Sequence, residues 1–468
     1  MPGHTLEHVT PNRQACFDSA DINELVTMSG ISPTPAKSPR PAPAVGAVVL
    51  VTLLMLLVWR SRPRPQETAG EVLAPWTTAE ARAAKQRDTV QQTIDGNLNL
   101  PLTPDANRRW ESFLGAVKWQ ADRRPAVLAA VRRRLQLPPL EPSEKGLPRE
   151  VQRLAIETAY GLFPVEVELE MRTIILTDHD PKHIGMAGAW LLRFDGTPAH
   201  RQSLADTVMQ RFPDWKSEPR LLALATELHQ PRTKAVAERP PLEALLRAPF
   251  DGRPVVFSFQ RVDRRFRGRA VIRHANGGFL LGPDGGRFSV SQFALSVSGL
   301  PGTLTNGNTP CGIFGIPALD TTRNTAIGPS ELLVLHLPLE DKSARPPWSE
   351  DRYLGLLPDS WKTWWPIREA WWAGQAGRFD ILAHGTAIDP APWLDSIFAG
   401  QTPSHGCLTC HETWDPESGR RLSSEQDKLV SGFYRAGGAP GYLVLVDLDN
   451  EARPVSEADV KRLLQNEQ

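Results

Sequence analysis

Four cysteines in 468 residues are too few to staple a disulfide-built scaffold, so any fold here rests on hydrophobic cores. An excess of charge of either sign is missing as well: 53 Lys+Arg stand against 53 Asp+Glu. That balance argues against nucleic acid as a partner, because binding phosphates needs a basic surplus. Tyrosine is scarce, at 4 residues, whereas tryptophan reaches 14 and proline 43. A composition of 41% hydrophobic and 23% charged residues excludes both a wholly disordered chain and a multi-span membrane protein. The length allows about two to four domains.

One long apolar run is present. Residues 44–59, AVGAVVLVTLLMLLVW, close an uncharged stretch between Arg40 and Arg60. As a helix that stretch reaches roughly 28 Å, about one hydrocarbon core. It is apolar on every face, and Trp59 stands where an interfacial anchor belongs, so a single transmembrane helix is predicted over 44–59. A cleaved signal peptide fits less well, because about 40 residues precede the run and no small-residue cleavage site follows it closely. Lys37 and Arg40 flank one side, and Arg60, Arg62 and Arg64 the other. That count slightly favours a cytoplasmic body, against the compartment that the chemistry below requires.

Around this span the predicted organisation is α+β and multidomain. Residues 1–43 read as a disordered tail and 60–100 as a linker. Residues 101–245 read as an all-α domain: Trp110, Phe113, Leu114 and Val117 follow the i, i+3, i+4, i+7 spacing of one helix face. Pro148, Pro181 and Pro219 recur ahead of helical runs and hint at stacked helical hairpins. Near Pro254 the period changes to two, in VVFSFQ, RAVIRH and FALSVSG, so strands take over across 250–450. Residues 451–468 read as a tail or helix. The basic run from Arg261 to Arg269 suits a solvated face or an anion site, and the Trp-rich WKTWWPIREAWW suits a helical insertion on the core or a platform for sugar rings.

The chemistry is concentrated in QTPSHGCLTCHETW at 401–414, where two motifs overlap. Cys407, Cys410 and His411 match the C-x-x-C-H pattern of covalent haem attachment. An electron-transfer haem usually takes a second axial ligand, yet no Met or His follows His411. The other reading is a cysteine nucleophile: His384-Gly385 and Ser404-His405-Gly406-Cys407 lie in an order that lets the fold bring an imidazole to a thiol. Gly406 lets backbone approach a substrate carbonyl, with amides at 406 and 407 as candidate oxyanion donors.

Three segments in order resemble the L,D-transpeptidases with a YkuD-type catalytic domain. NTPCGIFGI (308–316) looks like the family's TPxGxF strand, ILAHGT (381–386) its HG strand, and SHGC (404–407) its nucleophile motif. GYLVLV (441–446) is similar to its closing strand. The resemblance implies a mainly antiparallel β-sandwich over 250–450, with Cys407 as nucleophile and His384 as general base and acid. Gly385 would orient that histidine through its carbonyl, and Ser404, His405 and Gly406 would line the site. It implies no cofactor and no metal. The implied partners are peptidoglycan stem peptides, and the implied place is the inner membrane, single-pass, with the catalytic domain in the periplasm. Protein partners are not indicated. Thr409 departs from the Arg or Asn usual two residues after the nucleophile, which leaves open how a substrate carboxylate is held. A hydrolytic L,D-carboxypeptidase, a silent peptidoglycan-binding module and a membrane-anchored c-type cytochrome are the alternatives. His336 reads as a strand histidine, and Cys311 as a buried small residue or a partner for Cys410.

Overall fold

The computed structural model describes residues 72–141, 143–342, 346–393 and 402–465. The tail 1–43, the predicted transmembrane helix 44–59 and residues 60–71 lie outside them; among the described residues no helix is long and apolar enough to cross a membrane. The chain is mixed α/β, with helices dominating before residue 250 and one large sheet after it.

Residues 72–100, expected as part of a linker, are folded. Helix α1 (Ala79–Asp88) starts at Thr78, whose hydroxyl accepts from the Ala81 amide, and runs on into further helical turns that bury Ile94. Its residues AEARAAKQRD carry almost no apolar periodicity, which is why the pattern reads as linker. A cap and tertiary docking hold the segment instead: Ala74 N donates to Gly419 O at 2.9 Å, and Arg82 reaches Ala387 O at 3.2 Å.

Seven helices follow: α2 (Asn107–Trp119), α3 (Pro125–Leu135), α4 (Leu147–Leu162), α5 (Glu168–Thr177), α6 (Pro181–Phe194), α7 (Pro198–Arg211) and α8 (Pro219–His229). Proline sits in the first turn of α3, α4, α6, α7 and α8, where its missing N–H has no intrahelical partner to lose. Helices α2, α4, α6 and α8 pack side by side in that order, while α5 and α7 form an outer layer on α6 and α8. Trp110, Phe113, Leu114 and Val117 are all fully buried in this stack.

A buried ion network crosses it. Glu157 on α4 pairs with Lys118 on α2 and with Arg153 one turn earlier, and Arg153 also pairs with Glu150. Asn306 Nδ2 donates to Glu157 Oε2 at 3.3 Å, which ties the helices to a loop of the sheet body. Burial alone would raise the Glu157 carboxyl; Lys118, Arg153 and His405 nevertheless hold it down at about 2. Glu157→Gln leaves two buried cations against a neutral amide, so a loss of about 3–5 kcal/mol is expected. Urea unfolding should show a lower midpoint at unchanged slope; a change within about 0.5 kcal/mol would mean the network carries no net weight.

Two short helices, α9 (Arg232–Ala237) and α10 (Leu242–Leu246), lead into the sheet. Its strands are β1 (Val255–Gln260), β2 (Gly268–Arg273), β3 (Val290–Phe293), β4 (Gly312–Ile316), β5 (Leu319–Asp320), β6 (Leu332–Leu335), β7 (Ile381–His384), β8 (Leu408–Cys410) and β11 (Gly441–Asp447). They lie in the order β4-β11-β1-β2-β3-β8-β7-β6-β5, antiparallel except for β1–β11 and β7–β8. Every residue of β1 and β11 is buried, because both faces are covered, and both accordingly read as near-continuous apolar runs. Gly315 and His336 exchange hydrogen bonds of 2.9 and 2.8 Å, joining β4 to the chain just after β6. The expected sandwich of antiparallel strands thus takes the form of one sheet curled back on itself. Strands β9 (Glu412–Trp414) and β10 (Arg421–Ser424) make a separate ladder.

The tryptophan cluster follows the core-insertion reading, and the basic run divides once its partners are visible. Trp361, Trp364, Trp365, Trp371 and Trp372 are each at most 7% exposed, in and around helices α12 (Asp359–Lys362) and α13 (Glu369–Gln375), which follow α11 (Glu350–Gly355). They are core, not a sugar platform. Arg261 and Arg264 are buried, pairing with Asp459 and Asp447 respectively, while Arg269 pairs with Glu457. The basic run is therefore split: Arg265 and Arg267 stay on the surface, with Arg265 paired to its neighbour Asp263, whereas the carboxylates of Arg261, Arg264 and Arg269 come from β11 and from the region of helix α14 (Glu457–Leu463), far along the chain.

Candidate active site

Strands β7 and β8 run parallel, with Ala383 opposite Leu408 and His384 opposite Thr409. Successive side chains on a strand alternate faces, so Cys407 and Thr409 share a face, and Thr409 shares it with its register partner His384. The thiol and the imidazole expected from the sequence are thus delivered to one side of the sheet by two neighbouring strand ends. Cys407 is 1% exposed, and its Sγ lies 3.7 Å from the Asp380 carbonyl oxygen at the entry to β7.

His384 is oriented by its neighbour. Its Nδ1 contacts the Gly385 carbonyl oxygen, and a carbonyl can only accept, so Nδ1 carries the hydrogen and Nε2 is left to exchange a proton. Burial alone would lower the imidazole, yet hydrogen bonding to Cys407 and the charge on its sulfur, with the Gly385 carbonyl and the Glu412 carboxylate, raise it above its ordinary value. The surroundings of His384 therefore favour its protonated form. Glu412 also receives the Thr386 amide at 3.1 Å, and Ser330, Ser424 and Arg421 surround its other oxygen. A Cβ on Gly385 would overlap the Glu412 carboxylate, so only glycine lets the strand pass.

The turn before Cys407 is tied from within. Ser404 Oγ donates to Cys407 O at 2.8 Å and accepts from Gly406 N at 2.9 Å. The Gly406 amide, expected as an oxyanion donor, is committed to this turn. Gly406 instead serves by conformation: its φ is +113°, and a Cβ would overlap Arg378 and the Gly307 carbonyl. Thr309, from the first matched segment, donates through Oγ1 to Gly406 O at 3.0 Å. Arg378 donates to the carbonyls of Gly302, Gly307 and Asn308, at 2.6 Å for Gly307 and 2.8 Å for Asn308, pinning that loop beside the nucleophile turn. All three motif segments therefore meet at one place.

The helical stack forms the other wall. Trp119, the last residue of α2, lies against His405 with ring centroids 5.0 Å apart. A cavity of about 310 Å3 opens beside Cys407, bounded by Arg378 and Asp380 on the sheet side and by Arg153, Lys182 and Arg220 on the helix side. None of these last five was singled out as a site residue from sequence, nor were Glu412 and Trp119. Only Glu412 carried a local signal, through its place in the segment that holds Cys407; the others lie 27 to 288 residues away from Cys407.

The remaining candidates fall elsewhere. The three described cysteines are free; Cys311 is buried and donates its Sγ to Leu445 O at 3.1 Å, so no bridge to Cys410 forms. Cys410 is buried opposite Gln292, and burial, then the Glu425 and Glu412 carboxylates, push its thiol far above the ordinary range. His336 faces Asp341 at 3.8 Å, away from the nucleophile turn. Thr409 spends its hydroxyl on Thr402 O at 3.2 Å, so no cation stands at that position of β8. No family model, curated protein or solved structure matches this chain.

Proposed function

We propose that this protein is a peptidoglycan L,D-transpeptidase acting through a thioester on Cys407. The observation that carries the reading is the His384–Cys407 pair, its tautomer set by the Gly385 carbonyl, at the meeting point of the three motif segments. In this mechanism the Cys407 thiolate attacks the carbonyl carbon of an L-configured diamino acid in a tetrapeptide stem. A C–S bond forms, the C–N bond to the terminal D-alanine breaks, and His384 gives its proton to the departing amine. An acceptor amine then attacks the thioester, passes a proton back to His384, and leaves as the new amide. Water as acceptor gives an L,D-carboxypeptidase through the same intermediate. Because the substrate lies outside the cytoplasm, the body belongs in the periplasm, tethered by the span at 44–59.

The haem alternative meets a geometric obstacle. Cys410 ends strand β8 and Cys407 stands just before its first residue, so extended backbone over these three steps sends the two sulfurs to opposite faces of the sheet. Two thioethers to one porphyrin need both sulfurs on the same side. The thioester reading is tested by intact mass of the full chain after incubation with a tetrapeptide donor. The expected adduct equals the donor minus its terminal residue, mapped to Cys407. No adduct under conditions where iodoacetamide labels Cys407 would sink the reading.

A further inference from the structure

The cavity beside Cys407 is walled on one side by first-turn residues of two helices outside the sheet body: Lys182 of α6 and Arg220 of α8. The other cations at the cavity are already engaged. Arg153 is held between Glu150 and Glu157, and Arg378 has its guanidinium on three backbone carbonyls. Arg220 spends one nitrogen on Glu218, at 2.7 Å, and another on Ala376 O, while its Nε–H is buried without an acceptor among the described residues. Lys182 forms no ion pair through its ammonium among the described residues. Burial lowers its affinity for a proton, Arg153 and Arg220 lower it further, and Glu150 and Asp180 offset this in part. A half-buried ammonium beside a buried, unsatisfied guanidinium N–H is unfavourable until an anion arrives.

We propose that Lys182 and Arg220 form the subsite that holds the free terminal carboxylate of the peptide donor. The inference rests on the transpeptidase reading and deepens it. In that reaction the leaving group is a single terminal amino acid, so its carboxylate lies one residue beyond the attacked carbonyl and must be seated near Cys407. Strand β8 offers no cation for it, since Thr409 is turned to Thr402 O. The helical body supplies the charge instead, which gives that body a task in the reaction: without it the sheet keeps its nucleophile but loses the group that recognises the end of the stem. At about 310 Å3 the cavity is at the small end of ligand pockets, which suits a short peptide terminus.

The test compares acylation of the full chain by a tetrapeptide acid, by its C-terminal amide, and by the acid with its interior side-chain carboxylate amidated. Wild type is expected to prefer the acid over the terminal amide by about 10–100-fold in kcat/KM, the scale of a charge-assisted hydrogen bond, with the loss mainly in KM. Lys182→Met and Arg220→Gln should each erase much of that preference, and Lys182→Arg should restore it. Iodoacetamide labelling of Cys407 should stay at the wild-type rate in all variants, showing an intact nucleophile. An undiminished acid preference in Lys182→Met and Arg220→Gln overturns the subsite while leaving the transpeptidase reading standing. So does a Lys182-dependent preference that follows the interior carboxylate. Wild type that forms no thioester with any of the three donors overturns both.

Discussion

Cys407→Ala is expected to abolish thioester formation, whereas Cys410→Ala should leave it within a few-fold of wild type. Both thiols are buried and only three residues apart, so sequence proximity does not separate them. Their faces do. Cys407 lies on the side of β8 that His384 shares, and Cys410 lies opposite, where burial and two carboxylates keep its thiol protonated. A thiolate is the reactive form, so only the sulfur with an imidazole partner competes as nucleophile. The measurement is the mass of the acyl-enzyme in each variant. Equal loss from both substitutions would point to a coupled thiol pair and remove the assignment. A red product bearing covalent haem, formed only with both cysteines present, would remove the whole reading.

His384→Gln is expected to slow acylation by about two or more orders of magnitude, the scale of losing a general acid–base group. The pH dependence makes the test specific. His384 is raised above its ordinary range of about 6.5, so the wild-type imidazolium persists above that pH and can protonate the leaving amine. As pH rises through the elevated His384 value, that proton is lost and acylation should fall on an alkaline limb. The variant should lack this limb. Its Cys407 should also alkylate more slowly than wild type at neutral pH, because the imidazole that activates the thiol is gone. A variant with a wild-type profile would transfer the proton role to His405, which lies against Trp119 at the same cavity.

How far these residues could be read in advance depended on whether their signals were local. The helix face of Trp110, Phe113, Leu114 and Val117, the prolines at helix starts and the strands VVFSFQ and GYLVLV all show in a window of a few residues. The turn before Cys407 was legible in part for the same reason, since Ser404 Oγ binds Gly406 N and Cys407 O within four residues, while its ties to Leu295, Val297 and Thr309 were not. Helix α1 was not legible, because it is polar on all sides and held by partners more than 300 residues away. Nor was the burial of Arg261 and Arg264, whose carboxylates arrive from β11 and beyond.

By itself, then, the sequence determined the alternation of helix and strand and the order of the three segments that carry a thiol and an imidazole. Only the tertiary structure decided that β7 and β8 are parallel neighbours, which brings the imidazole of one motif beside the thiol of the other. It alone decided that Gly406 spends its amide within the turn, and that Lys182 and Arg220 line the cavity beside Cys407, 225 and 187 residues further on. The physical reason is range. Periodicity, caps and turns are set by contacts within one or two turns of chain, whereas the charge facing a buried cavity is set by whichever distant helices pack against it.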